Sequence, residues 1–313
     1  HMGHALNHTM QDCIARYKRM TGHRVLWVPG TDHAGIATQA VVEADCLKRT
    51  GQSRHDMDRE AFVDAIWQWK AQYGSRITTQ IRTLGHSVDW SRERFTCDET
   101  LAKAVRHQFV SLYNQGLIYR DQAIINWCSH CQSALSDIEV SHIDTPGTLW
   151  HIAYPLASGT GSITIATTRP ETLLGDQAIA VHPDDTRYAD LIGNYVQVPL
   201  CQRQIPIISD NAVLPDFGTG AVKVTPAHDA IDYAIGQRHQ LDSPLILDEH
   251  GRITGNTPYD GLDRMVAREK ILTDLGPMLT KITDYTVSQA QCYRCGCIIE
   301  PRLSKQWFVR MTE

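Results

Sequence analysis

The chain has 313 residues, of which 42% are hydrophobic and 21% are charged, with a formal net charge of −5. This length leaves room for two domains with buried cores. The acidic balance argues against a protein that coats nucleic acid generally, because such proteins are usually basic, although a local basic groove for RNA needs only a patch. No apolar run is long enough to span a membrane and no secretory signal precedes the first motif, so we expect a cytoplasmic protein. A monomer is a separate expectation.

The N-terminal part of the sequence predicts a series of helices. The first covers residues 5–20, and the second covers residues 36–50 with Gly51 as its stop. Residues 58–84 predict one long polar helix that ends at Gly85. A capping box at residues 96–99 precedes a helix that runs to Asn114, and residues 117–127 are predicted to be extended.

From residue 149 onwards the sequence becomes rich in short β-branched runs between Gly, Pro and Asp turns. The predicted strands are residues 162–168, 178–181, 195–198, 205–208 and 221–224. Helices are predicted at residues 229–239 and 266–275. We therefore predict an α/β protein with a β-rich domain inserted into a helical frame, divided at residues 1–144, 145–286 and 287–313.

The nine cysteines include two Cys-x-x-Cys pairs that lie on either side of the β-rich block. Cys128 with Cys131 and Cys292 with Cys295 supply four thiolates, which suits tetrahedral structural zinc. One ion bound by both pairs would hold the ends of the insertion together. Surface cysteines or two half-sites remain the alternatives, and Cys297 is close enough in sequence to compete as a ligand.

The opening residues His1-Met2-Gly3-His4 indicate a nucleotide site at the start of a helix. His1 and His4 are three residues apart and share a helix face, and Gly3 lets a flat ring approach the backbone. The helix N-terminus adds amide donors for phosphates. The alternative is that the leading His-Met is the remnant of a tag.

The β-rich block carries polar residues at positions where strands end and a helix begins. Thr168, Arg169 and Thr172 follow a predicted strand and enter a loop, a place that presents side chains to a cleft. Lys223 and Thr225 alternate on one strand and face the same side. The simpler alternatives are a surface salt bridge for Arg169 and a solvated strand charge for Lys223.

Two carboxylates, Asp229 and Asp232, are three residues apart at a helix start and share one face. Capping alone could explain Asp229, and Asp232 in a first turn suits the helix dipole. The same question applies to Asp32, which could be a plain helix cap ahead of Gly35.

Several motifs occur in a fixed order along the whole chain: residues 1–6 (HMGHAL), 30–39 (GTDHAGIATQ), 89–93 (DWSRE), 167–172 (TTRPET), 218–222 (GTGAV) and 228–232 (HDAID). In this order they resemble the class I aminoacyl-tRNA synthetases that activate valine, isoleucine and leucine. The segment GTDHAG resembles the valine branch, whereas the isoleucine branch typically has Trp-Asp-Cys-His there.

The resemblance implies a partial Rossmann-type catalytic domain that uses valine, ATP and Mg²⁺ and charges tRNA(Val). The residues that match the ATP signature are His1, Gly3, His4 and Asn7. Asp32 matches the carboxylate that grips the amino group of the amino acid. Trp307 is expected either to line the amino-acid pocket or to be a core aromatic.

The resemblance also implies that the inserted block is a β-rich, β-barrel-like editing domain that hydrolyses tRNA carrying threonine. Asp232 would anchor the α-ammonium of the threonyl ester. Lys223, Thr225 and Asp229 would recognise its hydroxyl, and Phe217 would close the pocket wall. Arg169 could hold the terminal adenosine or its phosphate, while Thr168 and Thr172 can hydrogen-bond the substrate or a water. The sequence offers no Ser-His-Asp or Cys-His arrangement, so we expect a positioned water to attack the ester.

The chain departs from the family pattern at both ends. It lacks the proline-rich strand before the first signature, the Lys-Met-Ser-Lys-Ser-type loop and the anticodon-binding helices. We therefore expect a fragment that keeps the editing domain but forms no adenylate. The competing interpretations are a non-catalytic module that binds ATP or the tRNA acceptor end, and a fragment of the isoleucine type.

Overall fold

The computed structural model describes residues 2–311, so His1 of the predicted nucleotide site lies outside the described residues. The chain forms two compact units. The first runs to Ile118 and includes the chain again from Arg310, and the second is Tyr119–Val309. Among the described residues, no helix is both long enough and apolar enough to cross a membrane.

The first unit is mostly helical. Its helices are α1 (Met2–Met20), α2 (Ile36–Thr50), α3 (Arg59–Tyr73), α4 (Arg76–Thr83) and α5 (Glu99–Asn114). The strands β1 (Gly30–Thr31) and β2 (Arg94–Phe95) pair in parallel. The bounds predicted for α2 are confirmed, because Gly51 takes the left-handed conformation at φ 76° and its N–H donates to Leu47 O.

The predicted single helix over residues 58–84 is wrong, since it is broken between α3 and α4. Gly74 and Ser75 stand at the break and have low helix propensity. A Cβ at Gly74 would lie only 2.6 Å from the carbonyl oxygen of Lys70, so this turn of the chain requires glycine.

The predicted capping box before α5 is also wrong. The Thr96 hydroxyl lies 2.9 Å from His33 N and 2.6 Å from His33 Nδ1, so it is engaged elsewhere. The N-cap residue of α5 is Asp98, whose carboxylate accepts from Phe95 N and not from the first turn of the helix.

The second unit contains ten strands and two helices among its described residues. The strands are β3 (Ile118–Cys128), β4 (Ser133–Leu135), β5 (Val140–Pro155), β6 (Ser162–Thr167), β7 (Ala178–Val181), β8 (Tyr195–Gln197), β9 (Gln204–Ser209), β10 (Ala221–Val224), β11 (Leu279–Cys292) and β12 (Glu300–Val309). The helices are α6 (Ala230–His239) and α7 (Arg264–Leu275). The bounds predicted for β7 and β10 are confirmed.

These strands form three sheets, in the orders β10-β7-β9-β8, β11-β5-β6 and β12-β3-β4. The first sheet is mixed, because β7 and β9 run parallel while the other pairs are antiparallel. Alternate residues of β6, including Ile163 and Ile165, are buried in the core together with Ile152 and Ile271.

The strands β5 and β11 form a long antiparallel ribbon, in which Cys292 pairs with Val140 at one end and Leu279 with Ile152 at the other. The predicted domain limits at residues 145 and 286 fall inside this ribbon. The division at residues 1–144, 145–286 and 287–313 therefore stays a prediction that cuts through paired strands.

Candidate active site and metal centre

A cavity of about 380 Å³ lies in the second unit, where β6 ends, β10 runs and α6 begins. Its lining includes all eight residues that the sequence predicts for the editing site: Thr168, Arg169, Thr172, Phe217, Lys223, Thr225, Asp229 and Asp232. Leu149, Val213 and Ile235 add apolar wall. The cavity therefore combines several convergent polar groups with apolar surroundings, as small-molecule sites usually do.

The first part of the lining comes from the sharp turn that follows β6. The backbone N–H of Arg169 donates to Thr167 Oγ1 at 3.0 Å, and Pro170 begins a short 3₁₀ turn, Pro170–Gly175. Proline suits this first position because its φ is already set and it has no N–H to lose. The turn brings Thr172 into the cavity lining, and the Thr172 hydroxyl donates to Arg169 O at 3.0 Å.

Three residues, Thr172, Lys223 and Thr225, form a hydrogen-bonded group that we call the polar cluster. Lys223 Nζ lies 2.6 Å from Thr172 Oγ1 and 2.7 Å from Thr225 Oγ1. Lys223 lies on β10 and Thr225 directly follows the strand. Their side chains face the same side, as their alternation predicts. Lys223 is only 6% exposed, so it is not a solvated strand charge.

Asp176 accepts hydrogen bonds from two residues of the polar cluster. It was not predicted from the sequence. It is fully buried, and its Oδ1 accepts from Thr225 Oγ1 at 2.6 Å and from Lys223 Nζ at 3.2 Å. Its Oδ2 accepts from the hydroxyl of Tyr154 at 2.6 Å. Burial raises the pKa of Asp176, while Lys223 and the two hydroxyl donors act in the opposite direction.

The two acidic residues at the start of α6 occupy different environments. Asp229 is the N-cap of α6, since its Oδ1 accepts from Ile231 N at 2.8 Å and Asp232 N at 3.1 Å. Asp232 is 8% exposed, and its Oδ2 accepts from Thr225 N at 2.8 Å. Burial and the neighbouring charge of Asp229 raise the pKa of Asp232 to about 7. A ligand cation that entered the cavity would favour the charged form of this carboxyl group.

Arg169 belongs to an ion network in which the carboxylates of Glu171 and Glu300 are buried and the guanidinium groups are partly exposed. Its Nη1 donates to His228 O at 2.9 Å, its Nε lies 3.3 Å from Glu171 Oε1, and its Nη2 pairs with Glu300. Arg268 closes the network with two hydrogen bonds to Glu171, at 2.8 and 2.9 Å. Burial opposes the charge of Arg169, but these carboxylates outweigh it and raise its pKa. The side chain thus holds the turn after β6 in place, and the predicted contact with adenosine stays a prediction.

His228 and Phe217 complete the cavity wall. Burial, together with nearby Arg169 and Lys223, lowers the pKa of His228 to about 3, so its ring is neutral at physiological pH. Its Nε2 accepts from Ile246 N at 3.0 Å, which ties this nitrogen to the fold. Phe217 is half-exposed and packs edge-on against Tyr285 with ring centroids 6.0 Å apart.

The four cysteines of the two Cys-x-x-Cys pairs converge in the second unit. The sulfur atoms of Cys128, Cys131, Cys292 and Cys295 lie within 4.8 Å of one another, and the sulfurs of Cys128 and Cys295 are 3.5 Å apart. Tetrahedral zinc with bonds of about 2.3 Å requires sulfurs about 3.8 Å apart. The four residues therefore fit one tetrahedral metal ion, and the alternative of two half-sites is wrong.

Cys297 lies beside this cluster but belongs to a different group of close ligands, with His130 and Cys295. The backbone around Cys292 is that of a tight turn. Gly296 N donates to Cys292 O at 2.8 Å, and Cys292 N donates to Cys297 O at 2.9 Å. Arg294 braces the turn through Glu139 Oε1, 2.8 Å from its Nη2.

The described residues of the predicted ATP signature, Gly3, His4 and Asn7, lie on the first two turns of α1. His4 lines a cavity of about 300 Å³ that is also bordered by residues of α4. Asn7 Oδ1 accepts from Gln11 Nε2 at 2.9 Å, and Gly3 stands one turn before it.

Asp32 directly follows β1, and its side chain is 82% exposed. Its Oδ1 accepts from His33 N at 2.9 Å, whereas the N-cap residue of α2 is Gly35, so Asp32 does not cap that helix. Trp307 lies on β12 of the second unit and is 52% exposed, so it is not a core aromatic of that unit.

Comparison with known proteins identifies the family of the chain as aminoacyl-tRNA synthetases. The family described as tRNA synthetases class I (I, L, M and V) matches residues 1–313, so the chain belongs to this family and has its mixed α/β fold. The sequence prediction of a class I synthetase is confirmed.

Within that family, the similar curated proteins are valine–tRNA ligases. The chain is 55% identical to the one from Syntrophotalea carbinolica and 56% identical to the one from Carboxydothermus hydrogenoformans, over 99% of its length in both cases. The ligase from Geobacter sulfurreducens is 53% identical over the same share. The chain spans 35 to 36% of the length of these relatives.

Among solved structures, the LeuRS–tRNA–LeuAMS ternary complex from Agrobacterium radiobacter matches 96% of this chain and 46% of its own, at 22% identity and a TM-score of 0.36.

Proposed function

We propose that the cavity of the second unit is an editing site that removes threonine from the tRNA for valine by hydrolysis. The observation that carries the proposal is that all eight residues predicted from the sequence line this one cavity. We assign the second unit, Tyr119–Val309, to the inserted, β-barrel-like editing domain that the sequence predicts at residues 145–286. The likeness of the whole chain to valine–tRNA ligases favours threonine as the amino acid and weighs against the isoleucine alternative.

The need for such a site follows from the shapes of the two amino acids. Threonine differs from valine by a hydroxyl in place of a methyl group. In valine-specific synthetases an apolar pocket is known to reject threonine only about a hundredfold. A second site that hydrogen-bonds the hydroxyl selects the wrong product, because valine cannot satisfy its buried polar groups.

We propose a role for each side of the cavity. The carboxylate of Asp232 would bind the α-ammonium of the ester, with Asp229 close by on the same helix start. The polar cluster and Asp229 would receive the threonyl hydroxyl, while Phe217 covers the cavity. A water held beside Thr168 would attack the ester carbonyl, and the ribose oxygen would leave with the proton that the water gives up.

The reaction requires little chemical activation in this scheme. An ester between an amino acid and a ribose hydroxyl is already reactive, so orientation of the water supplies much of the rate. The neutral ring of His228 has one nitrogen that can accept a proton. That nitrogen, Nε2, already accepts a hydrogen bond from Ile246 N, so His228 is unsuited to take a proton from the water. The rate therefore depends on how well Asp232 and the polar cluster hold the ester in place.

For the longer protein we propose ATP- and Mg²⁺-dependent activation of valine and charging of tRNA(Val), in a Rossmann-type domain to which the first unit belongs. His4, Gly3 and Asn7 would contribute to the ATP site, and Asp32 would bind the amino group of valine. The part of Trp307 in amino-acid binding stays a prediction from the sequence. The four-cysteine cluster would hold structural zinc, since four thiolates leave no open position for chemistry.

The test is hydrolysis of threonyl-tRNA for valine by this chain, compared with Asp232→Ala and with Asp242→Ala. Asp242 is exposed, follows α6 and lies outside the cavity, so it serves as the matched control. We expect the wild-type chain and Asp242→Ala to release threonine faster than the uncatalysed rate and to spare valyl-tRNA. Loss of an ion pair with the ammonium should slow Asp232→Ala about a hundredfold. Binding of the tRNA without any hydrolysis would favour the non-catalytic module.

A further inference from the structure

The polar cluster has a fixed hydrogen-bond polarity. The ammonium group of Lys223 has three protons to donate. Three acceptors surround it: Thr172 Oγ1 at 2.6 Å, Thr225 Oγ1 at 2.7 Å and Asp176 Oδ1 at 3.2 Å. Each proton of Lys223 therefore has an acceptor within the protein.

The two threonine hydroxyls likewise donate their protons to acceptors within the protein. A hydroxyl has one proton to donate and two lone pairs to accept. Thr225 Oγ1 donates to Asp176 Oδ1 at 2.6 Å, and Thr172 Oγ1 donates to Arg169 O at 3.0 Å. Both hydroxyls accept from Lys223, so each keeps one lone pair and has no proton left for a ligand.

A ligand hydroxyl that enters the cavity thus meets lone pairs at the polar cluster. The carboxylates of Asp229 and Asp232, which also line the cavity, likewise only accept when they are charged. A hydroxyl group can donate to such a surface, whereas a methyl group or a fluorine atom cannot.

The origin of this polarity lies one layer deeper, at Asp176 and Tyr154. Both are fully buried, and neither lines the cavity. The Tyr154 hydroxyl donates to Asp176 Oδ2 and leaves Oδ1 to face Thr225 and Lys223. Without an acceptor at Oδ1, the proton of Thr225 would be free to turn towards the cavity.

We propose that Asp176 and Tyr154 are positioning residues that orient the protons of the polar cluster, so that the cavity selects an amino-acid side chain that donates a hydrogen bond. The proposal rests on the proposed editing function and specifies its substrate class, an aminoacyl ester whose side chain carries a β-hydroxyl donor. Size alone would not produce this selectivity, because fluorine and hydroxyl are similar in size.

The experiment measures binding and so requires no turnover. The probes are adenosines in which an amide nitrogen replaces the ribose 3′-oxygen and carries threonine, its 3-fluoro analogue or 2-aminobutyrate. Their dissociation constants for the wild-type chain are measured by calorimetry. We expect the threonyl probe to bind about tenfold more tightly than the fluoro probe, the effect of about one hydrogen bond.

The variants are Asp176→Asn and Tyr154→Phe. The amide that Asp176→Asn introduces would present a donor to Thr225, and we expect the threonyl preference over the fluoro probe to fall to about twofold. Tyr154→Phe removes one hydrogen bond to Asp176 and should reduce the preference less. Matched controls are Asp274→Asn and Tyr259→Phe, which break another tyrosine–aspartate hydrogen bond of 2.8 Å outside the cavity. These controls should keep the tenfold preference.

The outcomes separate this proposal from the one on which it rests. Equal binding of the threonyl and fluoro probes by the wild-type chain would overturn the donor selection while leaving the editing site in place. An unchanged preference in folded Asp176→Asn and Tyr154→Phe, verified by circular dichroism, would overturn the role of the buried pair. If no probe binds the wild-type chain, the proposed function fails, and the selectivity fails with it.

Discussion

At the scale of single residues, the burial of Asp232 connects the stability of the second unit to pH. Its pKa is about 7 in the folded chain, against 3.8 for an ordinary aspartate. Between these two values the folded state binds a proton that the unfolded state has released. Stability therefore falls as pH rises from about 4 to about 7, and above that it stays reduced by up to about 4 kcal/mol.

Replacing Asp232 by Asn removes this pH-dependent cost. The amide oxygen can still accept from Thr225 N, so the local hydrogen bond is kept. We expect Asp232→Asn to equal the wild-type chain in stability near pH 4 and to exceed it by about 2 to 4 kcal/mol at pH 8. Urea unfolding at the two pH values measures the difference, and a gain of equal size at both would contradict the assignment of the raised pKa.

The same residue shows how far single positions can be predicted. The spacing of Asp229 and Asp232, and of Lys223 and Thr225, identified side chains that share a face, and the cavity lining includes all four. Asp176 could not be identified in this way. It follows Gly175 like an ordinary turn residue, and its importance arises from contacts with Tyr154 and Lys223, which are distant in sequence.

At the scale of secondary structure, the start of α6 serves both the fold and the proposed site. Asp229 caps the helix through Ile231 N and Asp232 N, and it also lines the cavity. The start of α7 provides a comparison, since Asp263 caps that helix through Met265 N at 2.8 Å without lining the cavity.

Alanine substitution at the two caps separates the two roles of Asp229. Both Asp229→Ala and Asp263→Ala lose one cap and should lower the free energy of unfolding by about 1 kcal/mol. Only Asp229→Ala should slow threonine release, by about tenfold or more for a lost polar contact with the substrate. Unfolding curves and single-turnover hydrolysis give the two numbers. Equal hydrolysis by both variants would reduce Asp229 to a cap.

Elements were predicted where one local signal dominates. Gly51 ends α2 because it can adopt a positive φ, and the β-branched runs of β7 and β10 have no competing helical pattern. The break at Gly74 was missed because an isolated glycine inside a helical pattern is tolerated at a cost of about 1 kcal/mol, so it does not by itself predict a helix end. The capping box failed because Thr96 is engaged by His33, and no local pattern reveals that contact.

At the scale of the whole chain, the change from helical to β-rich sequence predicted an inserted domain, and the two cysteine pairs predicted a shared metal site. The chain forms two compact units, and the four cysteines converge in the second. The limits of that body could not be placed from the sequence. The β-rich composition begins at residue 149, but the compact unit begins at Tyr119, because β3 pairs with β4 and β12.

The metal cluster gives the prediction at this scale. We expect the chain to bind one zinc ion and Cys128→Ser to bind none, with a loss of about 3 kcal/mol or more in the free energy of unfolding. Cys201→Ser is the control, since Cys201 lies outside the cluster. Metal analysis by mass spectrometry and thermal unfolding with and without a chelator measure both effects. A chelator that removes the zinc and leaves the unfolding temperature unchanged would contradict a structural role.

The convergence of the two cysteine pairs also determines whether the pieces of a proteolytically cleaved chain separate. Cys128 and Cys295 are 167 residues apart in sequence, yet their sulfurs are 3.5 Å apart. A metal ion that joins them closes a loop around the entire cavity-bearing block, and a crosslink over such a length removes about 5 kcal/mol of chain entropy from the unfolded state. A single cut at the exposed turn of residues 157–161 would open that loop without releasing either piece, because the β5–β11 ribbon and the shared ion would keep the two ends together. The nicked chain should migrate as one species until the metal is withdrawn under denaturing conditions.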